Sequence, residues 1–186
     1  GRTLEWQAET DMRRLSQYRA GHTTGFRHAL VQNIAGGNTM VLNKSALEIV
    51  RGASKEVDEI VIHDWWVYQI IVAAGGRVIY DDMPTMLYRQ HPQNLIGANR
   101  GLRAKLGRLM FLISGRYREW GTTNIRALTA SKHRLTPENA HLLSVFARDR
   151  DGPVLTRLAM IWQYGFNRHG IMGQMSLYLA ALLGRL

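Results

Sequence analysis

Hydrophobic and polar positions divide the chain into three stretches. Residues 1–25 are polar, carry few apolar positions at helical spacing and end in AGHTTG, so they read as a loop or short helix leading into the fold. From Phe26 the pattern tightens: FRHALVQN fits one or two helical turns, Gly36-Gly37-Asn38 is a turn signal, and TMVLN (39–43) reads as a short strand. Lys44 to Val50 reads as a helix, with Asn43 or Ser45 near its N-cap. VIHDWWVYQIIVAAGG predicts a second helix with Asp64 in its first turn and Gly75-Gly76 at its end, an acid and a glycine where helix ends favour them. RVIYDD (77–82) reads as a second strand and MPTMLYRQH as an extended segment.

Beyond about residue 100 the spacing becomes helical. Apolar residues fall at 102, 106, 109, 110, 113 and 117, and TNIRALTASKH continues the pattern. TPENAHLLSVFARDR offers Thr136 as an N-cap with Pro137 at the first helical position. PVLTRLAMIWQYGF and MGQMSLYLAALLGRL predict two more helices. The chain is thus expected to hold a lead-in (1–25), an α/β part with few short strands (26–99) and a basic, mainly α-helical extension (100–186). Two short strands do not make an independent sheet, so the α/β part is expected to be a fragment.

Composition narrows the classes. At 46% hydrophobic and 20% charged, 186 residues can bury a core, which excludes a disordered chain. The absence of cysteine excludes disulfides, a thiolate zinc site and a cysteine nucleophile. No run reaches the roughly 18–20 apolar residues that span a bilayer. The N-terminus shows neither an initiator Met nor an apolar signal core, and the sequence is expected to start within a longer one.

Net charge is +10, unevenly placed: residues 1–100 carry 11 Lys and Arg against 10 Asp and Glu, and residues 101–186 carry 13 against 4. Such a basic block meets nucleic acid, anionic lipid or phosphorylated substrates, or is a solvated face. RYREW (116–120) interleaves aromatics with Arg, as base stacking would need, yet no nucleic-acid motif accompanies it and nucleic acid is not the favoured partner. The terminal IMGQMSLYLAALLGRL is expected to pack on the bundle. The alternative is an interfacial helix which, with Arg157, Arg168 and Arg185, draws the chain to an anionic inner leaflet.

Three groups could carry chemistry. Asp64, in IHDWW at a helix mouth, could accept a proton from a hydroxyl nucleophile, although spacing alone favours a plain N-cap. His63 beside it could form a metal pair, but the further His and Asp ligands of a metal hydrolase are not seen. Arg89, His91 and Asn94 in YRQHPQN leave a strand together and suit a diphosphate or sugar; a polar loop is the simpler reading. Asp149-Arg150-Asp151 reads as solvent-facing charge.

Taken together, LVQN-IAGGNTMVLNKSAL, IHDWW and VAAGGRVIYDDMPTMLYRQHPQNLIGA resemble, in order and gaps over residues 26–98, the C-terminal half of bacterial family 2 glycosyltransferases of the GT-A type, rhamnosyltransferase-like members above all. The resemblance implies inverting transfer of a sugar, rhamnose or another deoxyhexose, from a nucleotide-sugar donor to a glycan or lipid-linked acceptor of cell-surface polysaccharide. It implies Asp64 as the base, His63 orienting it, Trp65 and Trp66 lining the acceptor pocket (Trp66 equally a core residue), and Gly36, Gly37, Asn38 and Thr39 near the sugar. Arg89, His91 and Asn94 would approach the diphosphate. The family's nucleotide-binding half with its DxD motif is absent, so the chain alone is expected to be inactive. A Mg2+ or Mn2+ ion belongs, if anywhere, to the complete enzyme and is not expected here. A cytoplasmic protein, peripheral on the inner membrane face, fits this reading. The competing reading is a non-enzymatic basic module that binds nucleic acid or an anionic membrane surface.

Overall fold

The computed structural model describes residues 1–7, 10–16, 24–90 and 114–186. In chain order these form β1 (Arg2–Gln7), β2 (Met12–Leu15), α1 (Phe26–Ala29), a 3-10 turn (Gly37–Thr39), α2 (Lys44–Ala53), α3 (His63–Ala73), β3 (Pro84–Gln90), α4 (Arg116–Ala130), a 3-10 turn (Lys132–Arg134), α5 (Pro137–Asp149), α6 (Val154–Tyr164) and α7 (Gly170–Leu183).

α3 is the centre of the helical part. Every residue from Trp65 to Ala73 except Val67 is buried, so this helix is enclosed nearly all round, with the polar tips of Tyr68 and Gln69 bonded to neighbouring segments. It stops where predicted. Gly75 takes a left-handed φ of 85°, and the Gly76 N–H donates to Ile71 O at 2.9 Å. A side chain at Gly76 would collide with Ile71, its Cβ falling 2.8 Å from the Ile71 carbonyl oxygen. The last carbonyls of α3 are closed by the start of α5. Asn139 Nδ2 donates to Val72 O and Ala73 O, each at 3.0 Å, and the Thr136 N–H donates to Ala73 O at 3.0 Å. Thr136 itself caps α5, its Oγ1 accepting from Asn139 N at 3.2 Å. Asn43 does the same for α2, accepting from Ala46 N at 2.9 Å.

One continuous buried cluster runs from Phe26 through α3 to Leu186, so α1–α3 and α4–α7 share a core. At its edge Glu56, which follows α2, accepts from Ser131 Oγ at 2.6 Å and from Arg134 Nε at 2.9 Å. These bonds, Arg134 first, hold the Glu56 carboxyl down at about 2 from an ordinary 4.5.

The strands differ from expectation. Residues 1–25 contribute two strands, and the sheet has the order β2-β1-β3, with β1 antiparallel to β2 and parallel to β3. RTLEWQ conceals its strand because only Leu4 and Trp6 are apolar, and the sheet lies outside the buried cluster. TMVLN is a 3-10 turn running into irregular chain, with Val41 93% exposed, and RVIYDD is likewise irregular. Neither forms a ladder among the described residues, although the Arg2 N–H of β1 donates to Asp81 O at 3.0 Å, and backbone groups without a ladder do not hold a strand. The extended MPTMLYRQH segment supplies β3 instead.

The Glu56 cluster predicts a pH dependence. A folded-state pKa below the unfolded value stabilises fully above about 4.5 and is lost as pH falls from about 4.5 through about 2. Glu56→Gln should flatten the acid limb of a stability–pH curve in that window and leave its slope near pH 7 unchanged. An unaltered acid limb would show that the cluster contributes nothing.

Candidate active site

The segment between α1 and the 3-10 turn is irregular, yet Ala29, Leu30, Val31 and Ile34 are buried. Buried carbonyls without a ladder need donors, and neighbouring elements supply them. Trp65 Nε1 and Gln69 Nε2 of α3 both donate to Ala29 O, at 2.8 and 3.1 Å. Tyr117 Oη of α4 donates to Val31 O, as does Arg168 Nε at 2.7 Å. The His169 N–H donates to Gln32 Oε1 at 2.7 Å.

Next along this braced segment comes the site. Asn33 Nδ2 donates to Asp64 Oδ1 at 2.9 Å, and the Gly37 N–H donates to Asp64 Oδ2 at 3.1 Å. Asn33 is itself oriented, its Oδ1 accepting from Ala35 N at 2.9 Å. Asp64 is therefore no N-cap. The cap position of α3 is Ile62, without a side-chain bond, and the carboxylate reaches across to another segment. A carboxylate offers about four acceptor positions. Two are used, and the partly exposed group keeps the rest for a hydroxyl. At the second position of α3 it also lies in the favourable field of the helix N-terminus.

His63 is exposed, with its ring against Gly37: a Cβ at Gly37 would fall 2.4 Å from His63 Nε2. A side chain at position 37 would therefore have to push the exposed His63 ring aside, although no special φ is involved. Asn38 is exposed on the 3-10 turn that Gly36 opens by accepting from the Thr39 N–H at 3.0 Å. Thr39 Oγ1 lies 3.2 Å from Gly1 O, which ties the turn to the chain entering β1. Gly36, Gly37, Asn38, Thr39, His63 and Asp64 thus lie in one neighbourhood, and Asn33 joins them. Asn33 closes the LVQN stretch of the resemblance without being singled out there; only the fold brings position 33 to position 64.

The other candidates are placed differently. Trp65 is 3% exposed and Trp66 equally buried; the Trp65 ring packs against Tyr117 at 5.9 Å between centroids and faces the core. Arg89 is exposed on β3, opposite Trp6 of β1. His91 and Asn94 lie outside the described residues. In the DRD triplet, Asp149 pairs with Arg148 and Asp151 with Arg118, but Arg150 is buried and donates to Arg118 O at 2.8 Å, so the triplet is not simply solvent-facing charge. Burial pushes the Arg150 pKa down. Tyr117 of RYREW is taken up by Val31, Trp65 and the Arg168 guanidinium 4.5 Å over its ring, which leaves it no open face for a base. Among the described residues no group of three or more His, Asp or Glu could hold a metal ion.

No family model matches the chain, and no solved structure matches it. It is similar to a dTDP-rhamnosyl transferase, RfbG of Shigella flexneri, at 33% identity over 96 residues, which are 50% of this chain and 33% of that protein. The chain thus spans about a third of the length of the curated relative it matches. The similarity supports a rhamnosyltransferase-like glycosyltransferase.

The tie between Asp64 and the 33–37 segment predicts a stability effect. An amide at position 64 offers one oxygen to two donors, so Asp64→Asn should cost about 1–3 kcal/mol in urea unfolding with an unchanged m-value. A cost below about 0.5 kcal/mol, the range of an inert surface substitution, would argue against the tie.

Proposed function

We propose that this chain is the acceptor-side part of a family 2, GT-A type glycosyltransferase that moves a deoxyhexose such as rhamnose from a nucleotide sugar to a glycan or lipid-linked acceptor. The observation that carries the reading is the Asp64 carboxylate. It is fixed by two donors from another segment, partly open, and flanked by an exposed histidine and a glycine turn.

In this reading Asp64 takes the proton of the acceptor hydroxyl as its oxygen attacks the anomeric carbon. The bond from that carbon to the diphosphate oxygen breaks on the opposite side, and the nucleoside diphosphate leaves with its electron pair, so the product has inverted configuration. Asn33 and Gly37 hold the carboxylate plane, which lowers the cost of orienting the base during reaction. Gly36 and Gly37 let the sugar approach the backbone closely, and His63 borders the same opening. Arg89 is assigned to the donor's diphosphate, as a guanidinium suits phosphate oxygens; the same role falls to His91 and Asn94.

The test is release of dTDP from dTDP-rhamnose by the full-length protein, comparing wild type with Asp64→Asn and Gly37→Ala. Loss of a general base should lower kcat about a hundredfold or more with donor affinity unchanged. Gly37→Ala, which displaces the His63 ring but spares the carboxylate, should lower it far less. An Asp64→Asn enzyme within about threefold of wild type would remove Asp64 from the chemistry.

A further inference from the structure

Arg168 belongs by position to the basic extension, but its guanidinium is engaged inside the protein. The central carbon of the group lies 4.5 Å over the Tyr117 ring, Nε donates to Val31 O at 2.7 Å, and a terminal nitrogen donates to Ser176 Oγ at 3.1 Å. Its backbone is tied as well. The Arg168 N–H donates to Gln174 Oε1 at 2.9 Å, and the following His169 N–H donates to Gln32 Oε1 at 2.7 Å. Gln174 and Ser176 belong to α7, which Leu177, Ala180 and Ala181 seat in the shared core. Arg168 is thus a strut between a packed helix and the irregular segment that leads to the site.

The far end of the strut matters most. Ala29 O is held from α3, the helix that carries Asp64, whereas both donors to Val31 O, Arg168 Nε and Tyr117 Oη, come from the extension. Val31 stands two residues before Asn33, whose amide donates to Asp64 Oδ1 at 2.9 Å. Two residues of chain span at most about 7 Å, too short a lead to absorb a shift at Val31 before it reaches Asn33. Tyr117 also packs on Trp65, the neighbour of Asp64, at 5.9 Å between centroids. The Arg168–Tyr117 pair therefore bears on both sides of the Asn33–Asp64 bond. Reacting groups must stand within about 0.5 Å of the productive geometry, and a displacement of about 1 Å costs on the order of a hundredfold in rate.

We infer that Arg168 is a positioning residue for the reaction at Asp64: with Tyr117 it sets residues 31–33 so that Asn33 presents the carboxylate to the acceptor hydroxyl. The inference rests on the proposed role of Asp64 as base. It makes turnover depend on a residue of the extension that contributes no group to the chemistry.

The test is steady-state release of dTDP from dTDP-rhamnose by the full-length protein, comparing wild type with Arg168→Met, Arg168→Lys, Tyr117→Phe and Asp64→Asn. Val31 O keeps at least one donor in each of the first three variants, so no buried acceptor is orphaned and each should fold. Arg168→Met should lower kcat about tenfold and leave KM for the donor within about twofold. Arg168→Lys, whose ammonium still reaches toward Val31 O, should turn over at least about threefold faster than Arg168→Met. Tyr117→Phe should lower kcat about fivefold with the same split. Glu56→Gln, which loosens the edge of the core through Ser131 and Arg134 and bonds nothing in residues 29–33, should keep kcat within about twofold. An Arg168→Met enzyme within about twofold of wild-type kcat, one no slower than Glu56→Gln, or one that Arg168→Lys does not improve on would overturn the inference. A disabled Asp64→Asn enzyme beside any of those results leaves the base in place and removes Arg168 alone. Near-wild-type turnover by Asp64→Asn removes the base and the inference with it. Should Arg168→Met not unfold cooperatively, Tyr117→Phe decides by the same split of kcat against KM.

Discussion

An irregular segment that runs through a protein interior must have its backbone carbonyls satisfied, and residues 29–33 pose that demand here. The donors come from three places: Trp65 and Gln69 from α3, Tyr117 from α4, and Arg168 from the approach to α7. Each is a long side chain with a polar tip, reaching past apolar packing to a carbonyl. Ala29 O and Val31 O each have two donors, so removing one leaves the other in place; only losing both leaves a buried acceptor unsatisfied, a cost of about 1–3 kcal/mol before lost packing is counted. The site depends on this bracing, because Asn33 and Gly37 can hold Asp64 only if the segment carrying them is itself held.

This arrangement gives the C-terminal helices a place in the site without lending it a catalytic group. Tyr117, Arg168 and His169 end on Val31 and Gln32, directly before Asn33. Part of the extension's positive charge is spent on structure: Arg134 on Glu56, Arg150 on Arg118 O, Arg168 on Val31 O. Rigidity around the Asp64 carboxylate then comes from packing and hydrogen bonds laid down far along the chain.

The sequence made the helices legible because their signals are local. Asn43 and Thr136 as caps, Gly75-Gly76 as a stop and the apolar spacing after residue 115 all act within a few residues. The strands were harder. β1 and β3 pair across about 80 residues, and β1 offers only Leu4 and Trp6 as apolar positions, too few to mark a strand in an otherwise polar stretch. Within the site, the glycine turn and the His63-Asp64 pair were readable as motifs. Asn33 was not, since its role arises only from its distance to Asp64. Trp65 shows the opposite problem: an aromatic beside a candidate base suggests a pocket wall, whereas helical periodicity turns its ring inward to Ala29 and Tyr117.

The central claim is that Asp64 is a base held ready by its neighbours rather than a structural tie alone. Chemical rescue separates the two most directly: Asp64→Ala in the full-length protein, assayed for dTDP release from dTDP-rhamnose with rising formate. The account predicts a folded variant with turnover about a hundredfold or more below wild type, partly restored by formate in proportion to its concentration. A variant that keeps near-wild-type turnover without formate, or that stays folded and binds donor yet is not revived by it, would contradict the account.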